Sequence, residues 1–150
     1  MSNLYVNSNE VEGKYLSLKL GTYNARGLAS TIKKDLITSD FVSYKLDILS
    51  LQETKMLVDK DITIQGHRHR YVCGDRHWGL GFILSPFWGE WIKTIDESHP
   101  RIAVLTLIGP TNNLISVINV YLPNMTHAET EISQFYRDLG SIYERYHRES

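Results

Sequence analysis

An apolar run that stops abruptly at two polar residues does most to limit how this chain can fold. Residues 47–55 read DILSLQETK. Ile48, Leu49 and Leu51 mark a short buried strand, and the run exits at Gln52 and Glu53. A carboxylate at that point cannot enter the core unpaired, because burying a lone charge is costly. Glu53 is therefore expected at a sheet rim, placed to meet a metal ion or a cation. A second strand, over 15–23, ends in the same manner. Leu16, Leu18 and Leu20 alternate with Ser17 and Lys19, and the chain leaves through Thr22, Asn24 and Arg26. Strands delivering Asn24 and Glu53 to one rim would make an oxygen-ligand site suited to a hard cation such as Mg²⁺.

The remaining pattern predicts a mixed α/β order. Residues 31–44 carry Ile32, Leu36, Ile37, Phe41 and Tyr44 at mostly helical spacing, with Ser30 or Thr31 as cap. Residues 56–64 read as a connecting segment. Strands are expected over 68–73, 80–85, 90–95, 101–108 and 114–121, with a turn over 74–79 between the first two. The clearest helix comes last. Thr126 and Glu129 have capping-box spacing, and Ile132, Phe135, Tyr136, Leu139, Ile142, Tyr143 and Tyr146 fall on one face. This order suits one sheet of an α/β sandwich with helices on its outer face. Residues 1–14 are polar, lack the apolar core of a signal peptide, and read as a mobile tail before a domain over 15–150.

Composition narrows the function classes. The net charge of −1 gives no global basic field of the kind that marks many nucleic-acid binders, so any such surface must be local. The single cysteine, Cys73, excludes an internal disulfide and suits a reducing compartment. The expected location is intracellular, with the nucleus a candidate, and not secreted. No apolar run reaches the length of a membrane span, and no membrane partner is expected.

Four stretches carry a family likeness. GTYNARGL and LSLQETK resemble the first two motifs of the endonuclease/exonuclease/phosphatase family of metal-dependent phosphodiesterases. GLGFILSP resembles that family's third strand region, and SVINVYLPN (Ser116 to Asn124) the strand that supplies a phosphate-contacting Tyr and Asn. NARGL and GLGFILSP look most like the endonuclease domains of retrotransposons without long terminal repeats, close to apurinic-site endonucleases. The resemblance implies a four-layer α/β/β/α sandwich of the DNase-like kind and a Mg²⁺-dependent DNA endonuclease, with Mn²⁺ as a possible substitute. It implies that Glu53 ligates the metal, with Asn24 assisting, and that Tyr121 and Asn124 contact phosphate oxygens. Lys55 and Arg26 flank that rim as phosphate-contacting candidates.

The same family also uses a Gly-Asp-x-Asn motif and a terminal Ser-Asp-His motif for acid-base chemistry. Neither string occurs here. Such sandwiches commonly need roughly 200–250 residues, so the chain reads as the N-terminal part of the fold with its C-terminal half missing, inactive alone. Its strands are all assigned to one sheet, whose inner face would await the missing half or self-associate. The rival readings are a non-catalytic binding half-domain and a phosphatase acting on lipid or sugar phosphates. His67 and His69 have a spacing that can bind zinc, but read as a solvated basic strand. Arg101 is expected to pair with a carboxylate. Trp78, Trp88 and Trp91 are expected to pack in the core or in hairpins.

Overall fold

The computed structural model describes the backbone of residues 2–11, 14–72 and 78–148, and the side chains of residues 17–72 and 78–148. The elements in order are β1 (Ser2–Val11), β2 (Lys14–Asn24), α1 (Thr31–Ser43), β3 (Ile48–Gln52), β4 (Lys60–Ile64), β5 (His67–Val72), β6 (Leu80–Leu84), the short α2 (Pro86–Gly89), β7 (Ile92–His99), β8 (Ile102–Ile108), β9 (Leu114–Val120) and α3 (Glu129–Arg148). They form a six-stranded sheet, ordered β1-β2-β3-β6-β5-β4, and a three-stranded sheet, ordered β7-β8-β9. β2 and β3 pair in parallel across the α1 crossover, and every other pairing is antiparallel.

The apolar runs are continuous because the central strands are covered on both faces. In β3, Leu49 and Leu51 face α1, where they pack with Ile37, Phe41, Tyr71 and Ile83. Ile48 points the other way, into a second cluster with Leu18, Phe82, Leu84, Ala103, Leu105 and Leu107. That cluster joins the two sheets. β8 repeats the alternation, since Ile102 and Val104 face α3 and pack with Phe135 and Ile142. The layers run α1, six-stranded sheet, three-stranded sheet, α3. This is a four-layer α/β/β/α sandwich.

The assignment of all strands to one open-faced sheet is therefore corrected. β7, β8 and β9 make the opposing sheet, and the inner faces cover one another through that second cluster. Periodicity alone reports that a strand is buried on both faces, but not which sheet it joins. Ser2–Val11, expected in a mobile tail, is instead a strand paired along β2, so the ladder groups on that side of β2 are met rather than left as an open edge. The expected connector over 56–64 contains β4. It pairs with β5 through a tight turn at Gln65 and Gly66, both at positive φ (51° and 79°), as a two-residue hairpin requires. Most of the turn expected over 74–79, with Cys73, falls outside the described residues.

α1 departs from the expected apolar stripe. Ile37 and Phe41 are buried, but Ile32 and Leu36 are exposed. The remaining buried face is polar. Thr38 Oγ1 donates to Lys34 O at 2.7 Å and meets His69 Nε2 at 3.0 Å, while His69 Nδ1 meets Tyr71 Oη at 2.7 Å. His69 is fully buried, which overturns its reading as a solvated basic residue. One proton arrangement satisfies the whole chain: Tyr71 donates to Nδ1, and Nε2–H donates to Thr38. It requires a neutral imidazole. Burial, reinforced by His67 and Lys34, holds the His69 pKa down at about 4.

Since an unfolded histidine titrates near pH 6.5, the unfolded chain binds more protons than the folded one between about pH 4 and pH 6.5. Stability contributed by neutral His69 is complete above that window and is lost as pH falls through it, by about 3 kcal/mol in all. Urea titrations at pH 7, 5.5 and 4 should show this loss, and His69→Gln should flatten it. A wild-type stability unchanged down to pH 4.5 would contradict the assignment.

Candidate functional site

The loops that follow β2 and β3 run side by side beyond the strand ends. Backbone bonds from Ala25 N to Gln52 O (2.7 Å), Gly27 N to Glu53 O (2.7 Å) and Leu28 N to Thr54 O (2.8 Å) continue the pairing. The turn after β3 is held from the other side by Thr54 N to Gly79 O (3.1 Å) and Lys55 N to Trp78 O (2.8 Å). Arg26, Glu53 and Lys55 all take left-handed φ values, 49°, 51° and 54°, a conformation costing about 1–2 kcal/mol for a residue with a Cβ. Gly79 is essential to the approach. A Cβ there would lie 2.4 Å from Thr54 Oγ1.

This geometry presents Glu53 to two donors. Asn24 Nδ2 and Tyr121 Oη each reach Glu53 Oε1 at 2.9 Å. Asn24 ends β2, Glu53 follows β3 and Tyr121 follows β9, so three strand ends from both sheets converge on one carboxylate. Arg26 N donates to Asn24 Oδ1 at 3.1 Å, which fixes the amide with its NH₂ toward Glu53. The Asn24 bond is the main reason the Glu53 pKa lies below its usual value; partial burial opposes it, and Tyr121, Lys55 and Arg26 add to the depression. Burial, then the bond to Glu53 and its charge, push the Tyr121 phenol up. At neutral pH the pair is a carboxylate and a phenol that donates.

A residue passed over in the sequence reading holds the sheets in place. Asn119, on β9 and buried, donates to Leu51 O (2.9 Å) and Gly81 O (3.0 Å), and accepts from Gln52 Nε2 (2.7 Å). Gln52 also bonds Thr22 Oγ1 at 3.0 Å. Asn119 and Tyr121 lie two residues apart, on the same face of an extended chain. The alternation in NVY was the signal that could have found it.

The other expected site residues are placed differently. Lys55 and Arg26 are exposed and act on Glu53 through their charge. Asn124 Oδ1 turns to the entry of α3, accepting from Thr126 N (3.1 Å), Thr126 Oγ1 (2.5 Å) and His127 Nδ1 (2.8 Å). Thr126 does not cap α3 as expected. The helix begins at Glu129, and Ala128 O receives its first bonds. Arg101 forms no ion pair among the described residues. It stacks on Trp78, with Cζ 3.5 Å from the ring centroid, and donates to His127 Nε2 at 2.8 Å. Trp78 is thus at the site, edge-on to Tyr121 at 5.2 Å, whereas Trp88 is in the core.

The same architecture occurs in the AP endonuclease LMAP from Leishmania major. Its crystal structure superposes with a TM-score of 0.54 at 18% identity, covering 75% of this chain and 42% of that one. The chain has an AP-endonuclease-like fold. Craniofacial development protein 2 from Bos taurus is 27% identical over 128 residues, 83% of this chain but 21% of that protein. The Tragulus javanicus protein of the same name is also 27% identical, with 22% of its length covered. The chain therefore spans about a fifth of these curated relatives. No family model matches.

Two measurements check this geometry. In an NMR titration, Asn24→Ala should move the Glu53 pKa up toward the ordinary carboxylate value, and further than Tyr121→Phe does; no movement would mean that the bond to Asn24 is not formed in solution. Asn119→Leu strands two carbonyls and the Gln52 amide, and should lower stability by roughly 2–4 kcal/mol, read as a lower urea midpoint at unchanged m-value.

Proposed function

We propose that this chain carries part of the active site of a metal-dependent phosphodiester hydrolase, a DNA endonuclease of retrotransposon type, with Glu53 as its central residue. One observation carries the reading. The Glu53 carboxylate is held by Asn24 and Tyr121 where strand ends from both sheets meet. The AP-endonuclease-like fold supports a nuclease-like chemistry, and the NARGL and GLGFILSP stretches favour the retrotransposon branch.

The donor set fits Mg²⁺. Among the described residues no three His, Cys, Asp or Glu side chains cluster, so a closed site of zinc type is not formed by them. Mg²⁺ is commonly held by one or two carboxylates, with water and substrate phosphate completing its shell. Glu53 supplies one such carboxylate, and the remaining lone pair of Asn24 Oδ1 could add a ligand. A bound Mg²⁺ would offset the charge that builds on the phosphodiester during attack by water.

The chain's own residues would supply positioning and phosphate contacts. Asn24 orients Glu53. Tyr121 donates a hydrogen bond from a phenol that stays protonated. Lys55 and Arg26 favour the approach of an anionic strand, and the Asn124 NH₂ could hold a phosphate oxygen. Phosphate contacts of this kind position a substrate without reading its sequence. One sequence observation favours a second reading, a non-catalytic binding unit: the chain has neither Gly-Asp-x-Asn nor Ser-Asp-His, so general acid-base chemistry has no assigned residue.

In a longer chain that contains this segment and cleaves DNA, Glu53→Ala should reduce nicking of supercoiled plasmid by about a hundredfold or more with an unchanged melt. Retention of most activity would remove Glu53 from the mechanism. The 150-residue chain alone should not nick plasmid in Mg²⁺ buffer. Nicking abolished by Glu53→Ala would show that the acid-base step is met from within it.

A further inference from the structure

The first turn of α1 breaks a local rule. Lys33 and Lys34 lie there with no acidic residue in that turn, although the positive end of a helix dipole disfavours cations. A charge set against the dipole points to a task outside the helix. Lys33 reaches back toward the loop that joins β2 to α1, where its Nζ donates to Ala25 O. Ala25 is buried, so its carbonyl needs a partner, and a charged donor makes the stronger kind of bond.

That carbonyl belongs to the same peptide group as the Arg26 N–H. The N–H leaves the opposite side of the group and donates to Asn24 Oδ1 at 3.1 Å. Asn24 Nδ2 in turn donates to Glu53 Oε1 at 2.9 Å. Lys33 therefore heads a chain of three bonds, linked through one peptide group and one side-chain amide, that ends on the carboxylate. Every link is polarised in the same sense. A cation at the Ala25 carbonyl sharpens Arg26 N–H as a donor, and that donor sharpens the Asn24 NH₂, by about 10–30% per bond.

We propose that Lys33 is a positioning residue of the Glu53 site: its ammonium, acting through the Ala25–Arg26 peptide group, locks the Asn24 amide with its NH₂ on the carboxylate. The inference rests on the reading of Glu53 as the central residue. The competing orientation shows what is locked. An Asn24 amide turned end for end would set Oδ1 against the Glu53 carboxylate and its NH₂ against the Arg26 N–H, acceptor on acceptor and donor on donor. The peptide group that forbids this lies in irregular backbone, with Arg26 at a φ of 49°. Bonds from Ala25 N and Gly27 N flank it, and among the described residues Lys33 is what holds its carbonyl end. The cations whose charge acts directly on Glu53 are Lys55 and Arg26, so the path from Lys33 runs along the bonds.

The test is NMR of the 150-residue chain at pH 7, without metal or DNA. The Arg26 amide proton, the Asn24 NH₂ protons and the Glu53 carboxyl carbon are followed. Lys33→Met should move the Arg26 proton and the bonded Asn24 proton upfield, and speed Arg26 exchange about tenfold or more. Lys33→Arg keeps a charged donor and should return both toward their wild-type positions. Lys33→Met should also shift the Glu53 carbon, but leave it unmoved in an Asn24→Ala background. Unmoved Arg26 and Asn24 signals in folded Lys33→Met, no recovery in Lys33→Arg, or an equal Glu53 shift in both backgrounds would overturn the relay. If Lys33→Met does not fold, the wild type decides: an Arg26 N–H that exchanges at the rate of an open loop overturns the relay, and one protected in both wild type and Lys33→Arg supports it. In a longer chain that cleaves DNA, Lys33→Met should lower kcat about tenfold at unchanged KM and salt dependence. A raised KM with a shallower salt slope would make Lys33 a phosphate contact and overturn the assignment. A longer chain without nuclease activity, its relay signals intact, would remove the phosphodiesterase reading and still support the positioning role.

Discussion

The buried amide of Asn119 ties the two sheets together by directional bonds. The apolar cluster between the sheets is non-directional and would tolerate a small slide of one sheet over the other. Asn119 would not, since it bonds carbonyls of both β3 and β6 from β9. Gln52 then passes the constraint to Thr22 on β2. Tyr121 extends from the same face of the same strand, so its phenol arrives at Glu53 only when the sheets are in register. The geometry of the carboxylate cluster is therefore set from within the core.

A comparable polar device sits under α1. That helix has little apolar surface to choose its position by, with Ile32 and Leu36 turned outward. The Lys34–Thr38–His69–Tyr71 chain gives it a single docking register, because a rotated helix would leave a buried imidazole unmatched. In both layers the apolar clusters supply cohesion and a buried polar side chain supplies alignment.

Much of this was legible in the sequence, for reasons that differ by residue. Glu53 and Asn24 could be placed because an apolar strand ending in polar residues has one physical solution. β3, β6, β8 and β9 followed from apolar patterning, whereas the stripe that marked α1 was only partly right, since the structure buries Ile37 and Phe41 but exposes Ile32 and Leu36. Membership of a particular sheet did not, because DILSL and RIAVLTL have the same appearance whether they pair or face one another. β4 was hidden by its charged composition, and its Gln-Gly turn is a weaker signal than Asn-Gly. His69 looked solvated because its neighbours are Arg68 and Arg70, yet strand alternation sends those outward from the α1 side toward Asp61. Arg101 was assigned a carboxylate partner on charge alone, and no local pattern foretells that a distant tryptophan will take its plane.

α3 is fastened differently from the other layers. Along Glu129–Arg148 it buries only Phe135 and Ile142 deeply, and Asp96 holds its end through Arg145 and Tyr146. Leu139 and Tyr146 add partly buried contacts, so the helix is seated by fewer apolar side chains than the strands beneath it, the condition under which local opening costs least. Its residues Glu131, Gln134, Phe135 and Asp138 help to line a cleft of about 400 Å³ that Trp78 and Arg101 also line, while the Glu53 cluster is built from strand ends alone. One wall of that cleft is therefore only as firmly held as the helix, while the carboxylate beside it is held by the paired strand ends.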